Sequence, residues 1–90
     1  MSKAVQVVAV VWEDAAANTE TWLTEEHAEA FAQGSSPCVT VGRIVADTDK
    51  GITLAACWGP DDRGGLWRIP RGMVREVIQV GTVPAVGDDQ

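Results

Sequence analysis

The sequence predicts a mainly β fold: a small five-stranded barrel or strongly bent sheet with one short helix. Three observations lead there. Five segments rich in β-branched and apolar residues recur along the chain. Gly-, Pro- and Asp-containing turn signals separate the last four at intervals of about eight to twelve residues, the spacing of small all-β domains. Only one stretch carries the 3.6-residue periodicity of a helix.

The first strand is read at Ala4–Trp12, a run that only Gln6 interrupts. Such a run fits a strand covered on both faces. A chain of 90 residues has little material for two covers, so a partner subunit is expected to supply one. Residues 13–18 read as a loop. Thr24 followed by Glu25 and Glu26 is an N-cap with acids in the first turn, favourable for the helix dipole. Leu23, His27, Ala30 and Phe31 then share one face of a helix of about two turns, and that face is expected to be buried. Gly34 and Ser35-Ser36-Pro37 stop it.

The second strand is read at Cys38–Ala46, where Gly42 signals a bend, a bulge or a close approach by another backbone. Residues 47–51 have hairpin-turn composition. Ile52–Trp58 is the returning strand, and residues 59–65 form a longer turn, expected to be mobile. Leu66–Ile69 is the fourth strand. It is punctuated by Pro70-Arg71-Gly72, because proline donates nothing to a ladder and marks a strand end or an edge. Met73–Val80 is the last strand. Residues 81–90, with Pro84, Gly87 and two final acids, read as a disordered acidic tail. Residues 1–80 are therefore one domain, without repeat or linker.

A domain this small is marginal by itself, and two cysteines allow at most one disulfide. Oligomerisation is the remaining common aid, so a homo-oligomer is expected. The early apolar run is too short to span a bilayer, and Trp12-Glu13-Asp14 is no signal-peptide cleavage pattern. These features predict a cytoplasmic protein without membrane partners.

The net charge of −6 disfavours long nucleic acids as partners. The charge is unevenly spread. Glu13, Asp14, Glu20, Glu25, Glu26 and Glu29 face only Lys3 within residues 1–34, whereas Arg63, Arg68, Arg71 and Arg75 lie in an acid-free stretch. A local basic patch on an acidic protein suits a small anion. The alternative is solvated strand-face arginines paired with the acids.

Arg68 and Arg71 flank Ile69-Pro70, Arg63 lies in the preceding turn, and Gly64, Gly65 and Gly72 permit close backbone approach. Guanidinium forks with free backbone N–H groups are what a phosphate requires. The bland counterpart is turn glycines and surface arginines. Trp58, where a strand meets a Gly-Pro turn, and Trp22, beside a loop, are candidates to stack a base. Trp12 and Trp67 are assigned to core packing. Asp61 and Asp62 lack a third carboxylate nearby and read as solvated loop acids. His27, Cys38 and Cys57 have no compact zinc-ligand spacing, and both cysteines read as core residues. No metal and no cofactor is expected. Without a nucleophile–base pattern or a phosphate-binding loop, a binding role ranks above an enzyme.

In chain order, Trp12-Glu13-Asp14, Trp22, Val41-Gly42, Ile52-Thr53-Leu54-Ala55, Gly64-Gly65 and Ile69-Pro70-Arg71-Gly72-Met73-Val74 resemble the pattern of a group of short bacteriophage proteins. That pattern has an early Trp-x-Asp, a second Trp about ten residues on, and a closing Ile-Pro-Lys/Arg-Gly-Met segment. The likeness spans Trp12 to Val80. A longer apolar first strand and the Ala-rich loop with its helix depart from it. The resemblance implies a phage origin and a small Sm-like or SH3-like barrel. By analogy of fold, it also implies an oligomer that sequesters a small nucleotide immune signal in the host bacterial cytoplasm without cleaving it. Asp14, matching the Trp-x-Asp, would accept from a ribose hydroxyl or base edge, beside Arg63, Gly65, Arg68, Arg71, Trp22 and Trp58. Two alternatives stay open. One is an interaction protein that binds a host or phage protein through its apolar first strand or a sheet edge. The weaker one is a phosphodiesterase-like enzyme using Asp14, Asp61 or Asp62.

Overall fold

The most apolar strand lies inside the sheet. In the computed structural model, which describes residues 4–17, 19 and 21–84, β1 (Ala4–Glu13) pairs antiparallel with both β2 (Pro37–Thr48) and β5 (Val74–Pro84). β3 (Gly51–Trp58) and β4 (Arg63–Pro70) complete one five-stranded antiparallel sheet, in the order β4-β3-β2-β1-β5. A helix, α1 (Glu25–Ala32), interrupts the β1–β2 connection, and a 3-10 turn, Arg71–Met73, joins β4 to β5. The mainly β reading with five strands and one short helix holds. β4 and β5 are the two rims.

β2 changes partner halfway along. Residues Pro37–Arg43 pair with β1, and Arg43–Thr48 pair with β3, with an irregular step between Ile44 and Ala46. Gly42 stands at the handover. A Cβ there would lie 2.4 Å from the Ala55 carbonyl oxygen, so only glycine allows the two backbones to approach. This is the close approach anticipated for that glycine.

Directly opposed residues share a face of a sheet. The register places Val8 and Val10 of β1 on the same side as Leu54 and Ile52 of β3, the latter opposite Ile69 of β4. Those five are fully buried together, with Trp12, Ile44, Met73 and Val74 packed against them. Ala9, on the other face of β1, is covered by its cross-strand neighbours Val41 and Ile78. The chain covers one face of β1 with this cluster; on the other, Val5 and Ala9 are buried while Val41 and Ile78 stay exposed. Lying between β2 and β5, β1 has no free edge to offer another strand.

The helix departs most from expectation. Thr24 caps it as predicted, its Oγ1 accepting from the His27 backbone N–H at 3.2 Å. Its apolar face is not buried: α1 contains no buried residue, and Leu23 and Phe31 are exposed. The reason is where the connection is rooted. Glu13 pairs with Pro37, the Asp14 N–H donates to the Ser36 carbonyl at 2.9 Å, and the Ser36 N–H donates to Glu13 Oε2 at 3.2 Å. The loop is closed at its base, and the helix leaves from one end of the sheet. The radius of gyration is 17.8 Å, against about 12 Å for a compact domain of this length.

Two boundaries shift. β4 begins at Arg63, so the β3–β4 turn is shorter than the composition suggested, and the Gly59 N–H closes it on the Asp62 carbonyl at 3.0 Å. β5 continues to Pro84, opposite Ala4. Residues 81–84 are therefore strand, and the remainder of the expected tail, 85–90, lies outside the described residues. Among the described residues, no helix is long and apolar enough to cross a membrane.

Candidate functional site

The arginines expected to form one patch are, for the most part, engaged with turns. Arg71 sits on the 3-10 turn and reaches the β2–β3 hairpin. Its Nε donates to the Thr48 carbonyl at 3.2 Å, its guanidinium pairs with the Asp47 carboxylate, and its backbone N–H donates to the Lys50 carbonyl at 3.0 Å. Arg63 donates to the Asp62 and Gly59 carbonyls at 2.8 and 3.3 Å, bracing its own turn. Arg75 donates to the Gly72 carbonyl at 2.9 Å. Arg68 stands exposed opposite Thr53 and makes no hydrogen bond or ion pair among the described residues.

The stacking candidates do not meet Arg71. Trp58 pairs with Arg63 at one end of β3, while Gly51, next to the hairpin that holds Arg71, is at the other. Seven residue steps along the strand separate them, about 23 Å. Trp58 is half-buried under the Arg43 guanidinium, 5.7 Å from its ring centroid, a cation–π contact. Trp22 is fully exposed in the arm before α1. Gly65 adopts φ +60°, and a Cβ there would lie 2.9 Å from the Ala56 Cβ. The local chain path accounts for this glycine. Both cysteines are free thiols, Cys57 exposed rather than in the core.

What does converge is a cleft beside the first half of β2. It is lined by Trp12, Asp14, Cys38, Val39, Thr40, Val41 and Trp67, with a volume of about 370 Å³. Strand parity brings the two indoles together. Trp12 lies two residues beyond Val10 on the core side of β1, and Trp67 is opposite Leu54 on the core side of β4. Their centroids are 6.4 Å apart with planes at 52°. The Trp12 Nε1–H donates to Thr40 Oγ1 at 3.0 Å, which fixes that ring. Trp67 is 50% exposed. Asp14 reaches the rim, one carboxylate oxygen accepting from the Ala15 N–H at 2.8 Å. The cleft offers an aromatic floor, a hydroxyl and a carboxylate.

Of the residues singled out in the sequence, Asp14 alone lines this cleft. Trp12 packs against the core as assigned and also lines the cleft, whereas Trp67, assigned to the core as well, is half exposed there. The signal for Trp67 was available: Gly64-Gly65 upstream leaves little side-chain bulk to cover it. The contact between Trp12 and Thr40 depends on β1–β2 register and has no local signature. A second cavity of similar volume, beneath the arm, is lined by Glu13, Asp14, Phe31 and Ser36 among others. It offers carboxylates and no cation. Among the described residues, no group of three or more His, Cys, Asp or Glu side chains is arranged to hold a metal. No protein-family model, curated protein or solved structure matches the chain.

Proposed function

We propose that this protein binds a small nucleotide-like ligand and holds it without chemical change, as a phage protein sequestering a nucleotide immune signal in the host bacterial cytoplasm. The observation that carries the reading is the Trp12–Trp67 cleft with Asp14 at its rim. A half-exposed indole braced by a second, hydrogen-bonded one is a stacking platform for a base, worth about 1–3 kcal/mol. The volume is in the range of small-ligand pockets. Asp14 supplies an acceptor for a ribose hydroxyl or an exocyclic amine. Among the described residues no arginine lines the cleft, so the reading rests on stacking and on Asp14 rather than on a phosphate contact. The reading assigns no catalytic residue. The strand order, the handover at Gly42 and the 3-10 turn before β5 support placing the fold among Sm-like and SH3-like barrels.

The test is native mass spectrometry with a panel of cyclic and linear nucleotides, followed by heat release. Retention of one ligand mass per site and release of the unaltered nucleotide support sequestration. Release of a cleaved product replaces it with an enzyme. Retention unchanged in Trp67→Ala removes the cleft from the account.

The open rims favour a second reading, an interaction protein. Unpaired strand edges accept a strand from another polypeptide, and β5 exposes Val77, Ile78, Val80 and Val83 at one rim. Failure to retain any nucleotide, together with capture of one defined polypeptide that a Val80→Lys change abolishes, selects this reading.

A further inference from the structure

Two of the uncovered apolar surfaces are bordered by opposite charges. The first is the arm around α1. Trp22, Leu23 and Phe31 are exposed on it, and α1 buries nothing. Glu25, Glu26 and Glu29 flank them, and no Lys or Arg occurs between residue 4 and residue 42. The second is the outer face of β3 and β4. There Leu66 is exposed, the register setting it opposite fully buried Ala55, which is in turn opposite half-buried Arg43, with exposed Arg68 opposite Thr53 one step along. Arg68 has no partner among the described residues, and no acid lies between residues 63 and 75.

We propose that the acidic arm of one copy, Trp22 to Phe31, docks on the Leu66–Arg68 face of a second copy. Leu23 and Phe31 cover Leu66, and Glu26 and Glu29 meet Arg68 and Arg43. Charge complementarity selects the occupant. At a net charge of −6 two copies repel one another, unless the basic outer face of one meets the acidic arm of the other. The contact is heterologous, arm to face, and its closed forms are an exchanged dimer or a ring. It is independent of ligand binding in the cleft.

Light scattering and native mass spectrometry on the full chain test this. The wild type is expected to be a closed oligomer. Phe31→Ser disables the arm and Leu66→Glu disables the face, and each variant alone is expected to be monomeric with an unchanged circular dichroism spectrum. Both positions are exposed, so folding is not at stake. Mixing the two variants restores one arm-to-face contact and should yield a 1:1 heterodimer. A monomeric wild type overturns the proposal, including one that captures some other polypeptide through the arm. So does an oligomer that survives both substitutions, or a mixture that stays monomeric.

Discussion

Trp12 and Trp67 meet at a centroid distance of 6.4 Å with their planes tilted by 52°, although β1 and β4 are not neighbours in the sheet. The contact closes the end of the buried cluster and opens onto the cleft. Tilted aromatic pairs at this separation contribute about 0.5–1.5 kcal/mol beyond area burial. The two rings are held unequally: Trp12 packs on the core and is hydrogen-bonded to Thr40, whereas Trp67 is half in solvent.

That asymmetry gives a first prediction. Trp12→Ala should destabilise the fold by about 3 kcal/mol, in the range for large-to-small core changes. Trp67→Ala should cost about 1 kcal/mol while removing the exposed stacking surface. Urea denaturation of both variants checks this, and equal losses would contradict the assignment of one ring to packing and the other to the cleft.

Arg71 should behave as a structural residue. Its pair with Asp47 is about half exposed, the two side chains at 41% and 53%, so the coupling is expected to be at most about 1 kcal/mol. A double-mutant cycle with Arg71→Ala and Asp47→Asn measures it at low and high salt. The ion-pair coupling should fade with salt. The loss from the guanidinium bonds to the Thr48 carbonyl should remain in Arg71→Ala.

The glycines should rank by what a methyl group would meet. Gly42→Ala drives Cβ into the Ala55 carbonyl and is expected to be the most damaging. Gly65→Ala combines a positive φ with a tight contact to Ala56 and should cost about 1–3 kcal/mol. Gly72→Ala meets nothing within 4 Å and should be close to neutral. Thermal unfolding of the three variants reads the order directly.

Removing the Thr24 cap tests whether α1 is energetically separate from the sheet in the monomer. Thr24→Ala should weaken the helix by about 1 kcal/mol. Because α1 buries nothing, a monomeric background such as Leu66→Glu should show faster amide exchange over residues 25–32 with no change in the urea midpoint. A shifted midpoint would mean that the arm contributes to the core.

Much of the fold was legible because its signals are local. Alternation, turn composition and capping chemistry identified all five strands, the Thr24 cap, the hairpin at residues 47–51 and the break at Pro70. Gly42 was recognisable because a glycine inside a strand has few reasons to be there. The ends of β4 and β5 were misjudged where pairing overrode composition: Gly64, Gly65, Gly81 and Pro84 are poor strand formers that a neighbouring ladder holds in place.

The sequence by itself determined the fold class, the number of strands and the separation of acidic from basic residues, since each follows from the residues present or their order along the chain. Tertiary structure decided which of those residues meet. Arg71 turned to Asp47 and Thr48, Arg43 came over Trp58, and Trp12 met Trp67, because contacts across a sheet depend on register and on the change of partner in β2 beside Gly42. A shift of register by one residue would send every one of these side chains to the opposite face. The helix makes the same point: its apolar face was readable in the sequence, but only the way its loop closes between Asp14 and Ser36 left that face uncovered.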